Sequence, residues 1–256
     1  MARGSFPRST TYGRLITLQS KPKEEELASL LIKTRGLGPL SEQRAMWLAR
    51  RVPDVRFERG QILWGPTQES QLVFVLLEGQ VRLFKVLDGA EITLEIVLAG
   101  ELFGDVSALA GRPRGAYAEA LEPSRVAMLS RRVLNDLVRE EPEMGMRLAE
   151  GLAARLYEYR ERMTDVALKQ VPARLASLLL RLFEAEGVVG REGTRISTRY
   201  THEQFATMIG AKRVAVSRAM GHLRELEAVE SKGRWVYLKD EAALQRAAVE
   251  VGPPES

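Results

Sequence analysis

Between Val55 and Ser130 the chain is written as short β-rich runs broken by glycine, and no other stretch narrows the available folds so far. The runs are Ile62-Leu63-Trp64, Leu72-Val73-Phe74-Val75-Leu76-Leu77, Val81-Arg82-Leu83-Phe84-Lys85-Val86, Ile92-Thr93-Leu94-Glu95-Ile96-Val97 and Arg125-Val126-Ala127-Met128-Leu129. Gly60, Gly65, Gly79, Gly89, Gly100 and Gly104 punctuate them. The run Val81 to Val86 alternates apolar and polar in part, as a half-buried strand does. Many short strands at this spacing predict a β-sandwich or a jelly roll (a double-stranded β-helix).

Helical text flanks this block, so the expected class is α+β. Before it, Leu27, Leu30 and Leu31, then Met46, Leu48 and Ala49, mark two short helices separated by Gly36, Gly38 and Pro39. After it, helix resumes at Pro142. Leu152, Leu156, Tyr159, Met163 and Val166 step by 4, 3, 4 and 3, the spacing of a heptad seam. From Pro142 to Val166 such a helix runs about 37 Å, farther than a small roll can cover. The seam therefore predicts a partner helix, and with it a homodimer; a long helix packed on its own domain is the alternative. Pro172 marks a break or hinge before a helix from Ala173 to Ala185, and Gly187 to Gly193 is expected to be a loop. The expected layout is a tail over 1–24, the roll over 25–138, the dimerisation helix over 139–168, a C-terminal domain over 169–245 and a second tail over 246–256.

Charge sharpens the picture only locally. The net charge is +4, yet the stretch Leu168 to Asp240 alone carries 13 Lys/Arg against 8 Asp/Glu. A basic region of this kind favours an anionic partner. The chain has no cysteine, which rules out disulfides and thiolate metal sites and fits a reducing compartment. Neither a secretory apolar region nor a run near the ~20 apolar residues of a membrane span is present. A soluble, cytoplasmic protein with no membrane partner is expected.

The C-terminal basic region contains the most informative motif. Thr201-His202-Glu203-Gln204 is a capping box that opens a helix with Phe205, Ala206 and Ile209 on one face, and Gly210 ends it tightly. A second helix follows at once, with Val216, Ala219, Met220 and Leu223 at helical spacing. Its opposite face carries Arg213, Val214, Ser217, Arg218 and Gly221. From Ala211 to Arg224 there are four basic residues and no acid. A helix entering the DNA major groove needs such a face, with cations for phosphate and guanine and small residues for close approach. Val229-Glu230-Ser231, Lys232-Gly233-Arg234 and Trp235-Val236-Tyr237-Leu238 then read as a hairpin whose basic tip can touch flanking phosphates. The bland alternative is a two-helix hairpin with a solvated basic face.

At this point the chain resembles the catabolite-activator/FNR (Crp/Fnr) family of bacterial transcription regulators, from about Leu40 to Asp240. The matching words are Glu203-Gln204-Phe205-Ala206, Met208-Ile209-Gly210 and Arg213-Val214-Ala215-Val216-Ser217-Arg218, the last closest to the nitrogen-control subgroup. The resemblance implies a winged helix-turn-helix on double-stranded DNA, with RNA polymerase as a further partner. It implies that Arg213 and Arg218 read guanine or clamp phosphate. Catabolite activators usually carry glutamate at the place of Val214; valine can touch only a thymine methyl. Lys212 replaces the usual small hydroxyl cap and is expected on phosphate.

The stretch Gly100-Glu101-Leu102-Phe103-Gly104-Asp105-Val106, followed by Arg114 and Gly115, resembles the phosphate-binding cassette of cyclic-nucleotide domains. A short helix opening after Gly104 presents free N–H groups, and Arg114 supplies a cation. The resemblance implies an effector site of Phe103, Gly104, Asp105, Val106, Arg114 and Gly115, joined by Tyr159 and Arg160 from the long helix. Asp105 stands where the family has a ribose-binding glutamate. Cyclic AMP, another small anion such as 2-oxoglutarate, or no effector at all remain the alternatives, and Arg114 could instead pair with Asp105 as a structural ion pair.

Two other classes compete. A jelly-roll enzyme would hold its metal with several histidines, but the only histidines are His202 and His222. No nucleophile elbow or phosphate loop occurs, so neither a catalytic residue nor a metal site is expected. A nucleotide-sensor subunit that does not bind DNA would need neither the basic helix face nor the hairpin.

Overall fold

The computed structural model describes residues 24–69 and 71–250. The expected N-terminal tail thus lies outside the described residues apart from Glu24, which opens the first helix. The chain divides into two compact units, one built from the stretch up to Val81 and from Val97–Leu148, the other from Arg82–Ile96 and the chain from Ala149 onward.

The roll begins after two helices, α1 (Glu24–Ile32) and α2 (Glu42–Ala49), the second capped by Ser41. Its strands are β1 (Asp54–Phe57), β2 (Ile62–Trp64), β3 (Leu72–Glu78), β4 (Gln80–Leu87), β5 (Ala90–Leu98), β6 (Leu102–Phe103), β7 (Tyr117–Ala120) and β8 (Ser124–Ser130), with the short helix α3 (Asp105–Ala110) between β6 and β7. They form two four-stranded sheets, in the orders β1-β8-β3-β6 and β2-β7-β4-β5. This is the expected jelly roll.

Strand β3 explains why its sequence is continuously apolar. Val73, Val75 and Leu77 pack with Leu27, Leu31 and Leu48 of the flanking helices, while Phe74 turns the other way onto Trp64 of the opposite sheet. A strand covered on both faces loses its alternation. One buried cation holds the first helix to the roll. Arg125, 2% exposed, donates to Asp54 at 2.5 Å and to Glu26 at 2.6 Å.

The expected boundary at 138/139 moves. Arg131–Glu140 is a separate helix, α4, capped by Ser130, and the long helix α5 (Pro142–Leu168) starts after Glu141. Leu134 and Leu137 of α4 are buried in the roll's core, so that helix belongs to the roll.

In the second unit, α5 carries Leu156, Met163 and Val166 at 55%, 71% and 53% exposure. Strand β5 packs here as well, within the segment Arg82–Ile96 that belongs to this unit. Arg162 donates to the Leu94 carbonyl at 2.5 Å, and the hydroxyls of Thr93 and Thr207 lie 2.9 Å apart. Helix α6 (Val171–Glu186) begins one residue past its cap, Gln170, with Pro172 in its first turn. There the ring needs no N–H partner.

The segment expected as a loop from Gly187 to Gly193 is instead a hairpin. β9 (Gly187–Gly190) pairs antiparallel with β10 (Gly193–Ile196), extending the wing into a sheet of order β11-β12-β10-β9, with β11 (Val229–Lys232) and β12 (Trp235–Leu238). Gly187 is compulsory in this turn out of α6, because a Cβ would sit 2.2 Å from the Phe183 carbonyl oxygen. The expected tail from 246 also shifts. Helix α9 (Glu241–Val249), capped by Asp240, buries Ala243, Leu244, Ala247 and Ala248. Only 251–256 of that tail lie outside the described residues.

Candidate nucleic-acid interface and effector cassette

The two helices read from the capping box are α7 (His202–Ile209) and α8 (Arg213–Glu225). Thr201 and Gln204 form the reciprocal box, and Gly210 closes α7 at φ 62. That left-handed residue permits a turn of only three residues before α8. Phe205, Ala206 and Ile209 of α7 meet Val216, Ala219, Met220 and Leu223 of α8, all at most 3% exposed. This packing turns the other face of α8 outward.

Lys212, Arg213, Val214, Ser217 and Arg218 lie on that outward face. Val214 is 63% exposed, so its methyls are free to meet an apolar group. Among the described residues, no carboxylate pairs with Lys212, Arg213, Arg218, Arg224 or Arg234. Lys212 sits at the cap position of α8 but makes no side-chain cap bond.

Two expected contacts are arranged differently. Ser217 is already engaged: its hydroxyl donates to the Arg213 carbonyl at 3.1 Å and lies 2.8 Å from His202 Nδ1. With its proton on that carbonyl, Ser217 accepts from the Nδ1–H of His202. Ser217 thus ties α8 to α7. Lys232 is matched by acids, at 3.4 Å from Glu192 and 3.8 Å from Glu230. Among the described residues, the wing-tip cation without an acid partner is Arg234. Burial, then the positive charges of Arg213 and Arg224, hold His202 below the ordinary histidine range. A cleft of about 510 Å³ between helix pair and wing collects Thr201, His202, Arg213, Ser231, Arg234 and Trp235. His202 is the partner of α8 that sequence reasoning misses, although its place one residue after the cap is a usable signal.

In the roll, Phe103, Gly104, Asp105, Val106, Arg114 and Gly115 come together around α3, but the cassette is filled by the chain itself. Arg114, 8% exposed, donates to the Gly104 carbonyl at 2.6 Å, to Ser107 Oγ at 3.0 Å and to the Leu72 carbonyl at 2.8 Å. Its guanidinium lies 4.5 Å from the Trp64 ring centroid and 5.1 Å from that of Phe74. Trp64, Phe74 and Phe103 stack on one another at centroid distances of 4.7, 5.4 and 5.3 Å. Such ring pairs add about 0.5–1.5 kcal/mol each beyond their burial. Gly104, at φ 71, adopts the left-handed conformation that favours glycine and brings the backbone close to Arg114. Asp105 is 2% exposed and Val106 is 62% exposed.

Tyr159 and Arg160 belong to the other unit. Tyr159 donates to Glu95 at 3.1 Å, and desolvation together with that carboxylate pushes its phenol well above the usual range. Arg160 is exposed on α5. Among the described residues no group of three or more His, Asp or Glu is placed to hold a metal ion, and no helix is long and apolar enough to cross a membrane.

A helix pair turned on glycine, an acid-free outer face, a wing and an upstream jelly roll together define a DNA-binding protein of the winged helix-turn-helix class. Residues 54–141 match the family model of the cyclic nucleotide-binding domain, and residues 173–247 that of the Crp-like helix-turn-helix domain. The chain is 31% identical over 194 residues to the transcriptional regulator LdrP of Thermus thermophilus, covering 75% of this chain and 95% of that one. It is 29% identical over 193 residues to the global nitrogen regulator of a Nostoc species, covering 74% and 86%. The solved structure of a CRP-family transcriptional regulator from Thermus thermophilus superposes with a TM-score of 0.65 at 30% identity, covering 77% and 97%. The chain belongs to the CRP/FNR family, whose members are transcription regulators rather than enzymes, and it is a DNA-binding transcription regulator.

Proposed function

We propose that this regulator acts in the cytoplasm as a homodimer on a palindromic promoter site, with each α8 entering one major groove. The observation that carries this reading is the outward face of α8, whose cations have no acid partner among the described residues. Arg213 and Arg218 read guanine or hold phosphate, Lys212 and Arg234 hold phosphate, and Val214 packs on a thymine methyl. Ser217 positions α8 through His202, and Lys232 supports the wing through its acids. The exposed seam of α5 supports pairing of two copies, and binding a palindromic site then requires the recognition helices about 34 Å apart, one turn of the duplex. The domain reading is a roll through α4, the α5 dimer helix and a winged domain from α6 to α9. RNA polymerase is the further partner.

For the effector, the geometry favours a roll that needs none. Arg114 already donates to two carbonyls and to Ser107 and lies over Trp64, so a cyclic nucleotide such as cAMP, or another small anion such as 2-oxoglutarate, would share its cation with those partners.

Selecting preferred sites from random DNA with the full chain tests the whole reading. The expected product is an inverted repeat with half-sites about one helical turn apart, bound equally with and without cAMP. A single unrepeated half-site overturns the dimer. Binding that appears only with cAMP overturns the effector-free reading. Failure to enrich any sequence overturns the regulator's direct action on DNA.

A further inference from the structure

Strand β10 and the loop after it hold two arginines that the helix-turn-helix motif does not include. The guanidinium of Arg195 lies 3.8 Å from the centroid of the Trp235 ring, and that of Arg199 lies 4.4 Å from it. Trp235 begins the second strand of the wing and lines the same cleft as His202, Arg213 and Arg234. Arg195 makes one long bond to the Ile196 carbonyl at 3.4 Å, and among the described residues neither arginine has an ion pair. Two like charges on one ring repel each other, and the ring offsets part of this through its negative face. What the pair lacks is an anion.

The rest of the wing shows that this deficit is local. Lys232, on the neighbouring strand, and Lys239, just past β12, share Glu230, and Lys232 also meets Glu192. Charge is balanced there and unbalanced around Trp235. A stacked guanidinium also loses rotamer freedom before any partner arrives, so it gives up less on binding than a free lysine does.

We infer that Arg195 and Arg199, held on Trp235, form a clamp for duplex phosphates outside the groove that α8 enters. This rests on the DNA-binding reading and extends its footprint to a strand that the motif does not contain. The clamp contributes affinity without base discrimination, because phosphates carry no sequence.

The test compares the full-length wild type with R195Q/R199Q and with R195K/R199K. Binding is measured by fluorescence anisotropy over a series of salt concentrations, on the wild type's selected site and on a random-sequence duplex. Each lost phosphate contact lowers the slope of log affinity against log salt by about 1. The glutamine pair is expected to lower the slope on both duplexes by the same amount and to weaken both about tenfold or more. The lysine pair, which keeps the charge, should recover most of the slope, and that recovery excludes misfolding as the cause. An unchanged slope in the glutamine pair overturns the clamp while leaving the regulator reading intact. A wild type that binds neither duplex overturns both. A loss confined to the selected site makes these residues base readers and also overturns the clamp.

Discussion

Arg181, midway along α6, donates to the carboxylate of Asp165 near the end of α5 at 3.1 Å. Asp165 is 6% exposed and also meets Lys169 at 2.6 Å, while Lys169 reaches Ser177 of α6 at 3.0 Å. The junction of α5 and α6, where the sequence leads one to expect a break or hinge at Pro172, is therefore bolted by a carboxylate shared between two cations. Removing one member of a buried charge cluster strands the others. Asp165→Ala should cost about 3 kcal/mol of stability in urea denaturation. It should also blunt the dependence of DNA affinity on half-site spacing. A variant as stable as the wild type would show the bolt to be idle.

On the recognition face, residue roles separate by experiment. Arg218→Ala should lose about 1–3 kcal/mol on the selected site and relax preference at one base position. Lys212→Ala should weaken all duplexes alike and reduce the salt slope by about 1. The comparison is a binding titration on the selected site and on variants altered one base at a time. Equal losses for Arg218→Ala on every sequence would move that residue to the phosphate class.

His202 predicts a dependence on pH. Its imidazole is held below the ordinary value of about 6.5, so the folded protein binds fewer protons than the unfolded chain between the two values. The contribution to stability is complete above the unfolded value and is lost as pH falls through the folded one. A nearby phosphate reverses the preference and favours the cation. DNA binding should then take up a proton and strengthen as pH drops from neutrality toward about 6. His202→Gln should flatten both trends. Calorimetry in two buffers of different ionisation enthalpy measures the proton directly, and zero uptake would place His202 away from the phosphates.

In the roll, Arg114→Met removes a cation that satisfies two carbonyls and covers two rings. The Leu72 carbonyl loses this donor, while the Gly104 carbonyl keeps those of Ser107 Oγ and the Ala108 N–H, and the expected loss is about 1–3 kcal/mol. Differential scanning calorimetry should show a lower melting temperature with no response to cAMP in either protein. A variant of unchanged stability would make Arg114 a spare cation waiting for a ligand.

The seam of α5 makes its own prediction. Leu156→Glu and Met163→Glu place charge on exposed apolar positions, so the fold should tolerate them while a paired helix should not. Sedimentation should show monomers and weaker DNA binding. A wild type that is itself monomeric removes the basis of this prediction.

Structure is legible in this sequence where a pattern is long or chemically marked. The capping box at Thr201, Gly210, the acid-free face of α8 and the runs of β3 and β4 all stand where the residues predict them. Short elements of small or charged residues are not legible. Strand β7 reads Tyr-Ala-Glu-Ala, which carries little β signal of its own and is a strand because it lies between β2 and β4 in the sheet. Helix α9 is rich in alanine and buries small side chains that look like tail composition. Helix α4 does carry a signal, Ser130 before Val133, Leu134 and Leu137, hidden by two leading arginines. The filling of the roll is illegible for a different reason. Trp64, Phe74, Phe103 and Arg114 meet only once two sheets face each other, and no local rule links positions so far apart.

The unbalanced arginines of the DNA-facing surface leave dissolved ions as their everyday companions. Each grip on a duplex is then a competition with the medium, and the medium changes when a cell dries, swells or takes up potassium. If α8 grips a duplex as proposed, its affinity should fall as the salt of the medium rises.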